Sequence, residues 1–205
     1  MSRPNHRKGK LFVISGPSGA GKGTICKRLL ETCDVELSTS MTTRAPREGE
    51  RDGREYFFVS EEEFKKQIAE GNLLEFAEVY DNLYGTPKDA VLRQLDRGHD
   101  VILEIDIQGG LQVRKAMPED VILLFILPPD LETLHDRIVG RGTDSKEVIE
   151  RRFKEATNEI RLLGEYDYYV VNDVLEDAVS RVHSIITAEQ QRVPKKVMPI
   201  IRRYK

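Results

Sequence analysis

The sequence predicts an α/β fold, a parallel sheet flanked by helices and interrupted by one inserted mixed lobe and one smaller excursion. Three observations predict it. Short apolar runs alternate with helical patterns along most of the chain, as in a parallel sheet covered on both faces. Residues 37–86 abandon that rhythm for Arg, Glu, Gly, Thr and Tyr, with short alternating runs such as REYFFVS. The first apolar run leads into a glycine-rich turn and a lysine, LFVISGPSGAGKGT at 11–24.

Taken in order, residues 10–15 read as a buried strand and 22–32 as the helix that follows it. Beyond the lobe, 87–97 carries a helical pattern and 100–107, DVILEIDI, a second strand. A helix over 109–116 leads to the third strand, VILLFIL at 121–127. Helices over 130–140 and 146–162 are joined by GRGTDSKE at 140–147. A fourth strand at 167–171 and a helix over 175–191 close the pattern. One domain over 1–205 results, with its core in 8–36, 87–136 and 165–192, the lobe in 37–86, the excursion in 140–147 and a basic tail in 193–205.

Composition narrows the function classes. Charged residues are 33% and apolar ones 39%, a globular balance, and 205 residues suffice for one sizeable core. A net charge of −3 gives no overall field toward nucleic acid or an anionic membrane. The longest apolar run is too short to span a bilayer, and MSRPNHRKGK lacks a signal-peptide core, so the expected location is the cytoplasm. Cys26 and Cys33, both placed in the first helix, would stand roughly 10 Å apart, too far for a disulfide. Reduced thiols suit a cytosolic protein. The four histidines share no ligand spacing with them, so no structural metal is expected. The basic ends (Arg3, Arg7, Lys8 and Lys10; Lys195, Lys196, Arg202, Arg203 and Lys205) read as solvated tails.

Gly16-Pro17-Ser18-Gly19-Ala20-Gly21-Lys22 fits G-x-x-x-x-G-K between a strand and a helix. Glycines let successive N–H groups converge on phosphate oxygens. The helix N-terminus adds a favourable dipole, and Lys22 adds a mobile charge for the terminal phosphates. The fold class is therefore a P-loop NTPase-type sheet. Position 23, where Ser or Thr would help hold Mg²⁺, is Gly23, and Thr24 comes one place late. In the lobe, Arg44, Arg47 and Tyr56 suit a phosphate monoester. Glu75 matches the paired N1–H and N2–H₂ donors of guanine, and hydroxyls of Ser40 and Thr86 can donate to O6; adenine would repel the same carboxylate.

From about residue 10 to about 190 the chain resembles the guanylate kinase family. GPSGAGKGT, S-x-T-T-R-x-P-R-x-G-E, E-x-A-x-V-Y-x-N-x-Y-G-T, LEIDIQG, GRGTD and VVND carry the resemblance. It implies an enzyme of purine nucleotide metabolism that moves the γ-phosphoryl group of ATP to GMP or dGMP. It also implies a GMP-binding lobe and a helical, arginine-bearing lid over 137–164. By position, Gly16 to Thr24, Gly23 included, would hold ATP phosphates, with Asn172 near the adenine. Ser40, Arg44, Arg47, Tyr56, Glu75, Tyr84, Gly85, Thr86 and Asp106 would bind GMP. Lys22, Arg137, Arg141 and Arg152 would gather on the transferred group; Arg137 and Arg141, four apart, would share a helix face. No general base is needed, because the acceptor phosphate is already anionic. Related kinases spell the loop G-K-G-T, which implies Mg²⁺ held by phosphate oxygens and water, with no direct protein ligand. Glu104 and Asp106, two apart on the second strand, would point the same way and reach those waters.

The alternative is a non-catalytic guanylate-kinase-like module that holds phosphopeptides; such modules lack phosphate-loop and lid residues that stand here. A sugar-phosphate kinase on this fold would leave Glu75, Ser40 and Thr86 unexplained. The negative net charge opposes nucleic acid as a partner. The tail VPKKVMPIIRRYK lies beyond the resemblance, and its MPII patch suits docking on a second subunit as a homo-oligomer.

Overall fold

In the computed structural model of the chain, which describes residues 8–79, 81–140, 145–193 and 197–204, strand β1 (Leu11–Ser15) is buried along its whole length. It is followed by α1 (Lys22–Thr32), β2 (Val35–Leu37), β3 (Ser40–Thr42), β4 (Tyr56–Phe58), α2 (Glu61–Ala69), β5 (Leu73–Val79) and β6 (Asn82–Pro87). Then come α3 (Lys88–Asp96), β7 (Asp100–Glu104), α4 (Ile107–Ala116), β8 (Val121–Leu127), α5 (Leu131–Val139) and α6 (Lys146–Ile160). A 3-10 turn over Arg161–Glu165 precedes β9 (Tyr168–Val171), α7 (Leu175–Gln191) and α8 (Met198–Ile201).

The core sheet is ordered β2-β7-β1-β8-β9 and is parallel throughout. Strand alternation sorts its apolar residues onto two faces. Phe12, Ile14, Ile102, Leu124 and Ile126 pack with Ile25 and Leu29 of α1 and Val182 and Ile186 of α7. Leu11, Val13, Val101, Leu103 and Leu123 pack with Val91 and Leu95 of α3 and Val113 of α4. The near-continuous apolar runs of the sequence are the signature of strands buried on both sides. The amino edge of the sheet is tied by buried carboxylates. Asp100 accepts from the Lys10 N–H at 2.7 Å and from Gln190 Nε2 at 2.8 Å, and Glu189 accepts from the Tyr168 hydroxyl at 2.6 Å.

The lobe is a second sheet, ordered β4-β3-β6-β5, with one parallel and two antiparallel pairings. It also holds α2, a helix the sequence reading did not expect: Ser60 accepts from the Glu63 N–H, and three glutamates follow in the first turn.

Four other details differ from the sequence expectation. The strand expected over 100–107 ends at Glu104, and Asp106 is the N-cap of α4, its carboxylate accepting from the Gly109 N–H at 2.7 Å. A cap satisfies helix donors that a longer strand would leave open. The expected strand parity of Glu104 and Asp106 therefore does not apply. Cys33 lies just past α1 in extended backbone. A fifth core strand, β2, has only 3 residues, too few to show a period. The tail includes the short helix α8.

Candidate active site

Strands β1, β7, β8 and β9 end on one edge, the edge where parallel sheets bind ligands. Gly21 caps α1 in left-handed backbone, φ 89°, and its added Cβ would lie 2.4 Å from Asn172 Nδ2. Only glycine fits there. No side chain caps this terminus and its first turn holds no acid, so its N–H groups stay open to an anion. Asn172 is buried; its amide donates to the Ala20 carbonyl at 2.8 Å and clamps the back of the loop. Lys22 Nζ donates to the carbonyls of Gly16 at 2.6 Å and Pro17 at 3.3 Å. Burial lowers the Lys22 pKa, against the raising influence of Glu104, Glu159 and Asp106.

In the lobe, Glu75 is 5% exposed and accepts from the Thr86 hydroxyl at 2.6 Å. Burial pushes its pKa up to about 7, with the Thr86 hydrogen bond opposing and Asp106 adding to the rise. Gly109 makes room for it: a Cβ there would meet Glu75 Oε2 at 2.8 Å. Gly85 of β6, also buried, pairs with Met41 and Phe76. Arg44 sits 5.5 Å from the Tyr56 ring centre, and Tyr56 and Tyr84 meet edge-on at 5.8 Å. Half-buried Ser40 is the β3 partner of Tyr56. Arg47 is exposed.

Sequence reasoning missed Glu50. Both its oxygens accept from Arg44 Nη2 at 2.9 Å, and one also accepts from the Arg47 N–H at 2.8 Å. Its place three residues after Arg47 was the available signal. Burial works against the Arg44 charge, but Glu50 and Tyr84 more than offset it and raise the Arg44 pKa.

Arg152 of α6 donates to the Ser18 hydroxyl at 2.7 Å, and Arg137 of α5 donates to the Asn172 carbonyl at 3.0 Å. Arg137 Nη1 is buried without a hydrogen-bond partner among the described residues, an open cationic donor behind the phosphate loop. Arg141 lies outside the described residues.

A cleft of about 1160 Å³ opens between the loop, α6 and the end of β5. It is lined by Gly16, Ser18, Gly19 and Gly21 to Thr24 of the loop, by Glu104 and Asp106, and by Arg152. Lobe residues Ala77 to Val79 face them. Glu155 and Glu159 also line the cleft, and sequence reasoning missed them. Their spacing from Arg152 on α6, three and then four residues, was the signal. Glu75, Thr86, Arg44 and Tyr56 do not line this cleft; they form the adjoining lobe site.

A phosphate loop at the carboxyl edge of a parallel sheet, facing a second lobe that buries a carboxylate and carries an arginine against phenol rings, defines a P-loop nucleotide kinase. The comparisons with known proteins agree. The chain belongs to the guanylate kinase family, whose model matches residues 8–189. It is 55% identical over 190 residues to the guanylate kinase of Caldanaerobacter subterraneus subsp. tengcongensis, covering 92% of each chain. It is 48% identical over 200 residues to that of Clostridioides difficile, covering 97% of each. The crystal structure of guanylate kinase from Anaplasma phagocytophilum superposes with a TM-score of 0.75 at 36% identity, over 90% of this chain and 87% of that one. Among the described residues, no helix is long and apolar enough to cross a membrane.

Proposed function

We infer that the cleft moves the γ-phosphoryl group of ATP to GMP, giving ADP and GDP, with the loop as donor site and the lobe as acceptor site. Family membership makes the chain an ATP:GMP phosphotransferase. The observation that carries the assignment of sites is the buried Glu75–Thr86 pair, backed by Gly109 and carried on the same lobe sheet as Tyr56, whose ring Arg44 approaches to 5.5 Å. The Glu75 carboxylate accepts from guanine N1–H and N2–H₂; the Thr86 hydroxyl, whose one proton goes to Glu75 in the free protein, turns to donate to O6 when the base takes the carboxylate, while the arginines and phenols take the phosphate. Ser40, Arg47, Tyr84, Gly85 and Asp106 complete this acceptor set, and dGMP is admitted with GMP. The non-catalytic alternative is not favoured, because Lys22, the loop glycines, Arg137 and Arg152 all stand in place.

Phosphoryl transfer spreads charge over three oxygens and needs positioning and cations more than covalent chemistry. The open N–H groups of α1 and Lys22 cradle the donor phosphates. Arg137, with its free donor, and Arg152 supply charge to the transferred group, together with Arg141. Asn172 holds the loop from behind, on the side assigned to adenine. The lobe over 37–86 and the lid over 137–164 close on the core and exclude water, which otherwise competes as acceptor. Mg²⁺ is the fitting metal. Lys22 and the open N–H groups of α1 gather the donor phosphates here, so an ion at this place would be held largely by phosphate oxygens and water. Bound with the donor, it would supply positive charge to the phosphate oxygens. Glu104 and Asp106, which line the cleft, would reach its waters.

A coupled assay with GMP, dGMP, AMP and ribose 5-phosphate tests this reading. Turnover is expected with the guanine nucleotides alone; comparable rates with AMP would overturn the acceptor assignment. The reading also has Thr24 serve phosphate and not metal. Thr24→Val deletes one hydrogen bond to a charged oxygen, about 1.5 kcal/mol or roughly tenfold in kcat/KM. The loss should persist at saturating Mg²⁺, with the half-saturating Mg²⁺ concentration unchanged. Full recovery at high Mg²⁺ would make Thr24 a metal ligand.

The free cysteines Cys26 and Cys33 fit a cytoplasmic enzyme. We assign self-association to the tail from Val193, where Met198 and Ile201 are exposed. A chain truncated after Arg192 should sediment as a smaller species with catalysis intact; an unchanged profile would rule the tail out as the contact.

A further inference from the structure

Gly23 departs from the phosphate-loop pattern, yet its backbone does not require glycine. It lies within α1, outside the positive-φ region. The reason lies across the cleft. A Cβ on Gly23 would stand 3.2 Å from Glu104 Oε1 and 3.6 Å from Oε2. A serine or threonine would carry its hydroxyl further into the space that this carboxylate occupies. The parallel pairing of β1 with β7, in register at Ile14 and Glu104, fixes the carboxylate beside the start of the loop. An aspartate at 104 would end about 1.5 Å short, one C–C bond. Glu104 is open to the cleft on one side and faces Lys22. Asp106 is partly committed, since one of its oxygens caps α4 through Gly109.

We propose that Gly23 and Glu104 act as one unit, the longer carboxylate standing in for the hydroxyl that position 23 lacks and presenting itself to the divalent cation that arrives with the donor nucleotide. The proposal rests on the donor-site reading above. Its distinguishing consequence is a difference in sign. A fixed negative charge beside the phosphates repels a metal-free nucleotide and attracts the cation of a metal-bound one. A side chain that merely packs against the loop would affect both forms alike.

The experiment measures ADP binding by titration calorimetry, in EDTA and with Mn²⁺, together with free Mn²⁺ by electron paramagnetic resonance. Glu104→Gln keeps the size and removes the charge. Metal-free ADP should bind roughly threefold to tenfold more tightly, and Mn²⁺·ADP roughly tenfold more weakly. Affinities that move in the same direction, or an unchanged Mn²⁺·ADP affinity, would overturn the proposal. A second set exchanges the pair. Gly23→Ser alone and Glu104→Asp alone should each weaken Mn²⁺·ADP roughly tenfold, the first by crowding and the second by shortening. The double variant should return to within about threefold of the parent, because the hydroxyl regains its space. Losses that multiply in the double variant count against the coupling. If the parent chain binds ADP in neither form, the donor-site reading itself fails, a result distinct from any of these.

Discussion

Replacing Lys22 with methionine is expected to lower kcat by 10²-fold or more with the fold intact, as for other deletions of a charge that acts in the transition state. The ammonium donates to two loop carbonyls, those of Gly16 and Pro17. That contact holds the charge inside the loop, at the end of a helix whose N–H groups are uncapped. Burial lowers its pKa while three carboxylates, Glu104, Glu159 and Asp106, act to keep it charged. Methionine keeps an unbranched apolar stem and lacks the terminal nitrogen, so α1 retains its packing through Ile25, Cys26 and Leu29. The loss should fall on kcat more than on KM, because charge builds on the transferred group only during reaction. Steady-state kinetics with ATP and GMP, beside a thermal melt, make the comparison. A folded variant with near-parental kcat would remove Lys22 from the chemistry.

Glu75→Gln is expected to cost roughly 10²-fold in kcat/KM for GMP, because a charged acceptor is lost and a buried amide N–H₂ is turned toward guanine donors. The same residue predicts a pH dependence. Burial raises its pKa from 4.5 to about 7, so the free protein holds this proton up to about pH 7 while the unfolded chain releases it near 4.5. The sign follows. Its contribution to the stability of the free fold is complete below the unfolded value and is lost as pH rises from 4.5 to about 7. Guanine prefers the carboxylate, so binding must expel the proton at low pH. Guanosine, which lacks a titrating phosphate, should therefore bind roughly tenfold more weakly at pH 6 than at pH 8. Glu75→Gln should abolish that slope. An identical slope in the variant would assign the titration to another group.

Much of the fold was legible because its signals are local. Runs such as LFVIS and VILLFIL are apolar on both strand faces, so they had to lie inside a covered sheet. The helix α2 inside the lobe was not anticipated, although Ser60 and the glutamates behind it carry its cap. The site was legible where a spacing carries its own geometry, as in the loop from Gly16 to Lys22. Where a side chain's role depends on its surroundings, it was not. Asn172 was placed near the adenine by its position in the chain; that its amide also clamps the Ala20 carbonyl follows only from the fold. Glu50 passed unnoticed because its meaning lies in Arg44, which it grips with both oxygens.

The sequence by itself determined the alternation of strands and helices, the phosphate loop, the inserted lobe and the residue types of a guanine-nucleotide site. Those follow from periodicity, glycine placement and the donors and acceptors that side chains carry. Only the tertiary structure decided that Asp106 ends a strand early to cap a helix, and that β2 completes the core sheet. Only it set the Glu75 pKa, through burial against Thr86 and Gly109. It also placed the Glu104 carboxylate over Gly23. Each of these depends on desolvation or contact between residues far apart in the chain, and neither quantity exists until the strands that carry them lie side by side.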